Sequence, residues 1–185
     1  WLHDVSVSGE DVEIALPPER RGLLTHPALL TTTSKFSETS PVIRGVFTLE
    51  HLLCIELQSP DESLAVTPPE FDPTLTTRER WEAHSSNPTC NGCHQRINPI
   101  GFALEGFDAL GMHRTAENDR PIDTSGAIPD LAITDLADAY ELAGAVGGSF
   151  PLIIQSSQAL ARFGAHQMFF DFTNESSDRM LYMKV

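Results

Sequence analysis

Lysine is almost missing from this chain. Only Lys35 and Lys184 stand among the twelve basic residues, against twenty-six acidic ones, for a formal net charge of −14. Nucleic acid and anionic membrane both demand a basic face, so neither is expected as a partner. A solvated acidic surface or a basic partner suits this balance better. No apolar run approaches the roughly 20 residues needed to span a bilayer, so no membrane-spanning segment is expected. Cysteine is scarce, with three in 185 residues, and no internal repeat is visible. With 41% hydrophobic residues the chain can still bury a core of its own. A compact globule of this length has a radius of gyration of roughly 16 Å.

Against this background one stretch carries chemistry: Cys90-Asn-Gly-Cys93-His94. Two cysteines three apart with histidine next are the pattern for covalent attachment of haem c. Each thiol adds across one porphyrin vinyl group, and the two-residue spacing lets one helical turn or tight loop set both sulfurs along one porphyrin edge. The adjacent imidazole is then brought over the iron as its proximal ligand. Cys90, Cys93 and His94 are therefore the candidate cofactor-binding residues, with His94 on the metal. Other chemistries use similar spacings. A zinc site wants four ligands, usually from two such pairs, and Cys54 is the only other cysteine. A thioredoxin-like pair wants a strand before it and a regular helix after it, whereas Ser85-Ser-Asn-Pro88 and Asn98-Pro99 make both flanks read as irregular. A structural disulfide across so small a ring is strained.

Along the chain, Val12, Ile14 and Leu16 alternate as in a short strand, closed by Pro17-Pro18. Thr25 with Pro27 predicts a short helix start. Ser40-Pro41 opens the clearest helix, with an apolar face running to about Cys54, itself read as an inert buried thiol. Four prolines between Gln58 and Leu75 predict an extended strap. Thr76-Thr-Arg-Glu79 is a capping box that starts a helix through Trp81 and His84. Phe102, Leu104 and Phe107 suit haem-pocket walls and would equally suit any small core. Asp123 in its turn reads as a local backbone cap rather than a calcium ligand. Thr134-Asp135 predicts a helix to about Val146, ended by Gly147-Gly148, and Ser149-Phe-Pro151 caps a last one. The fold class expected is mainly α: a small irregular helical, cytochrome c-like domain with a few short strands and long Pro-rich loops.

Several of these segments resemble one family. Arg21-Gly-Leu-Leu-Thr, Thr39-Ser-Pro-Val-Ile-Arg44-Gly, Leu52-Leu-Cys54, Thr77-Arg-Glu-Arg, His84, the Cys90 to His94 motif, Asn98-Pro-Ile-Gly-Phe-Ala-Leu-Glu-Gly-Phe-Asp108 and Pro121-Ile-Asp-Thr-Ser-Gly126 look like the haem-attachment module of the planctomycete-type cytochromes. These are uncharacterised domains of large exported bacterial proteins, and the likeness covers roughly residues 20–170. It implies a haem c protein in which residues 1–19 are the tail of a preceding domain and 20–57 a helical part. The Pro-rich strap is then 58–75, and 76–185 is the cytochrome-like part. One departure is Ile97, where the family usually carries methionine.

The sixth iron ligand stays open at this level. His84, a histidine of the family motif six residues before Cys90, could come over the far face on a short loop. Met112, eighteen residues after His94, offers a thioether, and Met168 and Met180 are more distant candidates. Either ligand would give a relay of single electrons, and an open position would permit peroxide or oxygen chemistry. Arg96 and Arg114 are near enough in sequence to meet propionates. His26, His51 and His113 lack the companions of an acid–base set, so electron transfer is favoured over a haem enzyme, peroxidase- or oxygenase-like. The expected partners are other redox proteins within a larger complex or polypeptide. The chain opens at Trp1 with no initiator methionine or signal segment. Because haem c is attached outside the cytoplasm, a longer exported protein on the periplasmic or extracellular side of a bacterial envelope is expected.

Overall fold

Five helices and two small hairpins make up the structure, a computed structural model describing residues 17–58, 67–129 and 132–154, with side chains described as far as Val146. The strand expected before Leu16 and the methionines at 168 and 180 lie outside those residues. The fold is mainly α and irregular, as expected. A 3₁₀ turn (Leu23–Thr25) leads into α1 (Pro27–Thr32) and then α2 (Pro41–Phe47), which runs on through a π turn (Thr48–Leu52). Residues 67–76 form no helix or strand, and α3 (Thr77–Ser85) and α4 (Pro88–Ala103) follow them. Strands β1 (Ala116–Glu117) and β2 (Arg120–Pro121) pair antiparallel, as do β3 (Gly126–Ile128) and β4 (Ile133–Leu136), before α5 (Ala139–Ile154).

The helix starts follow from capping chemistry. Ser40 accepts the Ile43 N–H with Pro41 at the first helical position. Thr76 and Glu79 form the full reciprocal capping box. Asn87 accepts the Thr89 N–H at 2.9 Å, again with proline next. Three local expectations change. His26, not Thr25, caps α1, its Nδ1 accepting the Ala28 N–H at 3.2 Å. Ile133–Leu136 pairs with β3 as a strand, and the helix begins only after Asp138, whose carboxylate takes the N–H groups of Tyr140 and Glu141. That helix then passes through Gly147-Gly148 without breaking. Asp123 behaves as expected, its carboxylate capping the N–H of Ser125. In the β1–β2 turn, Asn118 and Asp119 both take positive φ, 52° and 60°, as a two-residue hairpin turn requires.

One core joins the early and late parts of the described residues. Leu24, Leu30, Leu49 and Leu52 pack with Ile97, Ile100, Leu104 and Phe107, and Leu142 and Val146 of α5 close the cluster. Phe102, Leu104 and Phe107 are thus interior side chains. Helices α2 and α4 cross with backbones touching. A Cβ on Gly45 would strike the Ile97 carbonyl, and one on Gly101 would strike that of Pro41. Arg44, 1% exposed, fastens this crossing. Its guanidinium donates to the carbonyls of Leu104 (2.8 Å), Phe107 (2.9 Å) and Asp108 (2.8 Å), to Ser34 Oγ (3.0 Å), and faces Glu105 at 3.4 Å. Glu105, fully buried, is also held by Thr39 Oγ1 (2.6 Å) and Arg114 (2.9 Å). Burial pushes its carboxyl upward while the two guanidiniums pull it back. Removing Arg44 takes one of two guanidiniums from a buried carboxyl and a hydrogen bond from each of three carbonyls. Arg44→Met is therefore expected to lose about 3–5 kcal/mol in urea unfolding. Ile43→Ala on the exposed side of the same helix should change stability little.

Candidate functional site

Helices α3 and α4 form a hairpin joined by only Ser86 and Asn87, and the chemistry-bearing residues sit where they meet. Contrary to the irregular flanks expected from the sequence, Cys90, Cys93 and His94 lie inside a regular helix that runs from Pro88 to Ala103. Asn87 and Pro88 start it cleanly. Pro99, which removes one intrahelical hydrogen bond, is accommodated with its ring against Gly126 of β3. Positions 90, 93 and 94 are spaced i, i+3 and i+4 and so share one face. Cys90 and Cys93 are unpaired and partly exposed, as is Cys54, which takes the left-handed φ of 55° just past the π turn.

His84 stands on the last turn of α3, in the helix expected through Trp81 and His84, and it meets His94 directly. The two rings lie 5.4 Å apart edge to face. Trp81, one turn earlier and 7% exposed, touches both, at 5.5 Å from His84 and 5.7 Å from His94. Burial, and then the proximity of His94, holds the His84 imidazolium below the ordinary histidine range. His94 Nδ1 is bonded to Asn98 Oδ1 at 2.9 Å, and Asn98 Nδ2 donates to Ser85 Oγ at 3.2 Å. A groove of about 260 Å³ opens beside His94, between α4 and β3, bounded by Arg78, Asn91, Phe102 and Ala127 among others. Arg78 stacks on Phe102 at 4.9 Å and is already held by Glu82 and by the carbonyls of Asp123 and Ser125.

Met112 is placed elsewhere. It lies beyond the C-terminal end of α4, 42% exposed, with its N–H on Asp108 Oδ1 and the neighbouring Gly111 seated on Pro27. From His94 to the end of α4 the helix rises roughly 13 Å. Among the described residues no hydrogen bond or ring contact links Met112 to His94. Arg114 is occupied by Glu105 and Glu117. Sequence reasoning missed Trp81, Ser85 and Asn98 as parts of the site. Their signal was present, since 81, 84 and 85 share one helical face and 94 and 98 are one turn apart.

The donor set fits haem c: two free thiols and a neutral-capable imidazole on one helix face, the imidazole already held at its other nitrogen. Among the described residues no three histidine, cysteine or acidic side chains converge as a metal cluster. Residues 20–117 match the family model PSCyt3, described as "Protein of unknown function (DUF1588)". That span takes in the Cys90 to His94 motif and stops before Pro121. No curated protein and no solved structure matches the chain.

Unfolded histidine takes its proton near 6.5 and folded His84 only at lower pH. The unfolded state therefore binds more protons between those two values, and stability falls as pH drops through that window. Urea midpoints of the haem-free protein are expected to be higher at pH 7.5 than at pH 5, and His84→Gln should flatten that difference.

Proposed function

The chain belongs to the PSCyt3 family, a planctomycete cytochrome-type family, and from that premise we propose that it is a c-type cytochrome domain. It would carry one haem, thioether-linked through Cys90 and Cys93, with His94 as the proximal ligand. The observation that carries the reading is the shared helix face of these three residues together with the Asn98 bond at His94 Nδ1, which leaves Nε2 as the free donor. When bound, haem supplies a one-electron couple at a single iron.

The residues of the chain would do the rest. The two thiols fix the macrocycle along α4, and the adjacent histidine grips the iron from the same helix. Trp81 and His84 hold the imidazole plane from α3. Phe102 and the Arg78 stem give the groove an apolar wall. The favoured role is single-electron transfer between other redox proteins, within a larger complex or polypeptide on the periplasmic or extracellular side of a bacterial envelope. A domain with a −14 charge would present those partners with an acidic face.

A second reading, a haem enzyme with an exchangeable sixth position, draws on the placement of Met112 at the other end of α4 and of His84 against His94 itself. The two differ at the far side of the iron. A low-spin ferric spectrum and a ferrous form inert to CO mark the relay, and a high-spin ferric form with ready CO uptake marks the enzyme.

Intact-mass measurement of the full chain, made with the haem-attachment machinery present, is expected to show one haem added, and Cys90→Ser/Cys93→Ser to show none. An unmodified wild-type mass overturns the haem reading. His94→Ala should keep the tethered haem while shifting its optical spectrum, and an unchanged spectrum would refute the proximal assignment. His84→Ala should turn a low-spin iron high-spin if His84 is the sixth ligand. An unaltered spectrum and midpoint removes it from that role.

A further inference from the structure

We propose that Asn98, oriented by Ser85, is a positioning residue that fixes the tautomer of His94 and lowers the potential of the site. The proposal rests on the haem reading for its second half only. The directions of the hydrogen bonds establish the first. Ser85, 9% exposed, has its hydroxyl 2.8 Å from the carbonyl of Trp81, one turn back on α3. A carbonyl only accepts, so the single hydroxyl proton points there and the oxygen lone pairs face the other way. They take the Nδ2–H of Asn98 at 3.2 Å. With its amide nitrogen spent on Ser85, Asn98 presents Oδ1 to His94 Nδ1 at 2.9 Å. That oxygen also only accepts, so the proton of the neutral imidazole resides on Nδ1 and the lone pair on Nε2.

The arrangement is built rather than incidental. Asn98 is 6% exposed, deep in α4 at the position before Pro99, and its side chain spans the hairpin from helix to helix. Buried amides are expensive unless bonded at both ends, and this one is. The sequence spacing makes it possible: 94 and 98 are one turn apart on α4, and 81 and 85 one turn apart on α3. A chain running from Trp81 carbonyl to Ser85 to Asn98 to His94 therefore sets which imidazole nitrogen can reach a metal. Because Asn98 Oδ1 draws on the Nδ1 proton, Nε2 becomes the more basic donor, which favours the oxidised metal and a lower midpoint. An acceptor of full negative charge would extend that effect, and an apolar residue would abolish it.

The first half is tested on haem-free full-length protein by ¹⁵N-resolved NMR of the His94 ring above its titration range. Wild type is expected to show a protonated Nδ1 and bare Nε2, the tautomer opposite to that favoured by free histidine in water. Asn98→Leu should invert it, and Asn98→Asp should retain it. Should Asn98→Leu fail to fold, Ser85→Ala serves instead, since it frees the amide to turn and should mix the tautomers. A wild-type His94 protonated at Nε2 overturns the proposal.

The second half is read from the midpoint potential of the haem-loaded protein, which should fall in Asn98→Asp and rise in Asn98→Leu or Ser85→Ala, at equal haem content. Shifts of the same sign for the acidic and apolar variants would mean mere loosening of the hairpin and would overturn the tuning role. A chain that shows the Nδ1–H tautomer but acquires no haem upholds the positioning role of Asn98 and sinks the haem reading instead.

Discussion

The backbones of α2 and α4 touch through two glycines, and the placement of the thiol-bearing helix hangs on that contact. Gly45 lies on the carbonyl of Ile97, three residues past His94, and Gly101 lies on the carbonyl of Pro41 at the opening of α2. A side chain at either position would push the helices apart. The leucines of residues 20–57 then fill the space against Ile100 and Leu104, so the segment nearest the start of the described chain becomes a floor for α4. Ile97 rests on that floor, its side chain and carbonyl both against Gly45.

The charge distribution follows from the same crossing. Interior positive charge is carried by arginine: Arg44 and Arg80 are 1% and 4% exposed, and Arg114 reaches in to Glu105. Arg44 bridges three carbonyls, a hydroxyl and a carboxylate, which a planar fork of five donors can do and an ammonium cannot. Lysine scarcity in this chain therefore has a structural side. Buried basic groups here serve as multi-headed ties between segments that present main-chain oxygens. The acidic surplus is left for the surface, where its desolvation cost is small.

Much of the helical skeleton was legible because caps are local. Ser40-Pro41, the Thr76–Glu79 box and the Asx cap of Asp123 act within four residues, and each appears as read. Two of the misreadings share one cause, a local signal overruled by contacts distant in sequence. Thr134-Asp135 looks like a helix start, yet Ile133–Leu136 finds a partner in β3. Asn98-Pro99 looks like a break, yet Gly126 receives the proline ring and Ser85 receives the asparagine, so α4 continues. The shared helix face of Cys90, Cys93 and His94 was readable from spacing alone. Its imidazole neighbours were not, because bringing His84 onto His94 depends on a two-residue joint whose angle no single segment encodes.

That short joint has a consequence for the order of assembly. Every contact among Trp81, His84, Ser85, His94 and Asn98 closes a loop shorter than one helical hairpin, whereas the crossing of α2 with α4 must close one of some fifty residues or more. Loop-closure entropy rises with separation, and local contacts are the quicker to form. The imidazole-bearing hairpin can therefore be complete on a nascent or partly folded chain, with its sulfurs still open to solvent, before the leucine floor arrives beneath it.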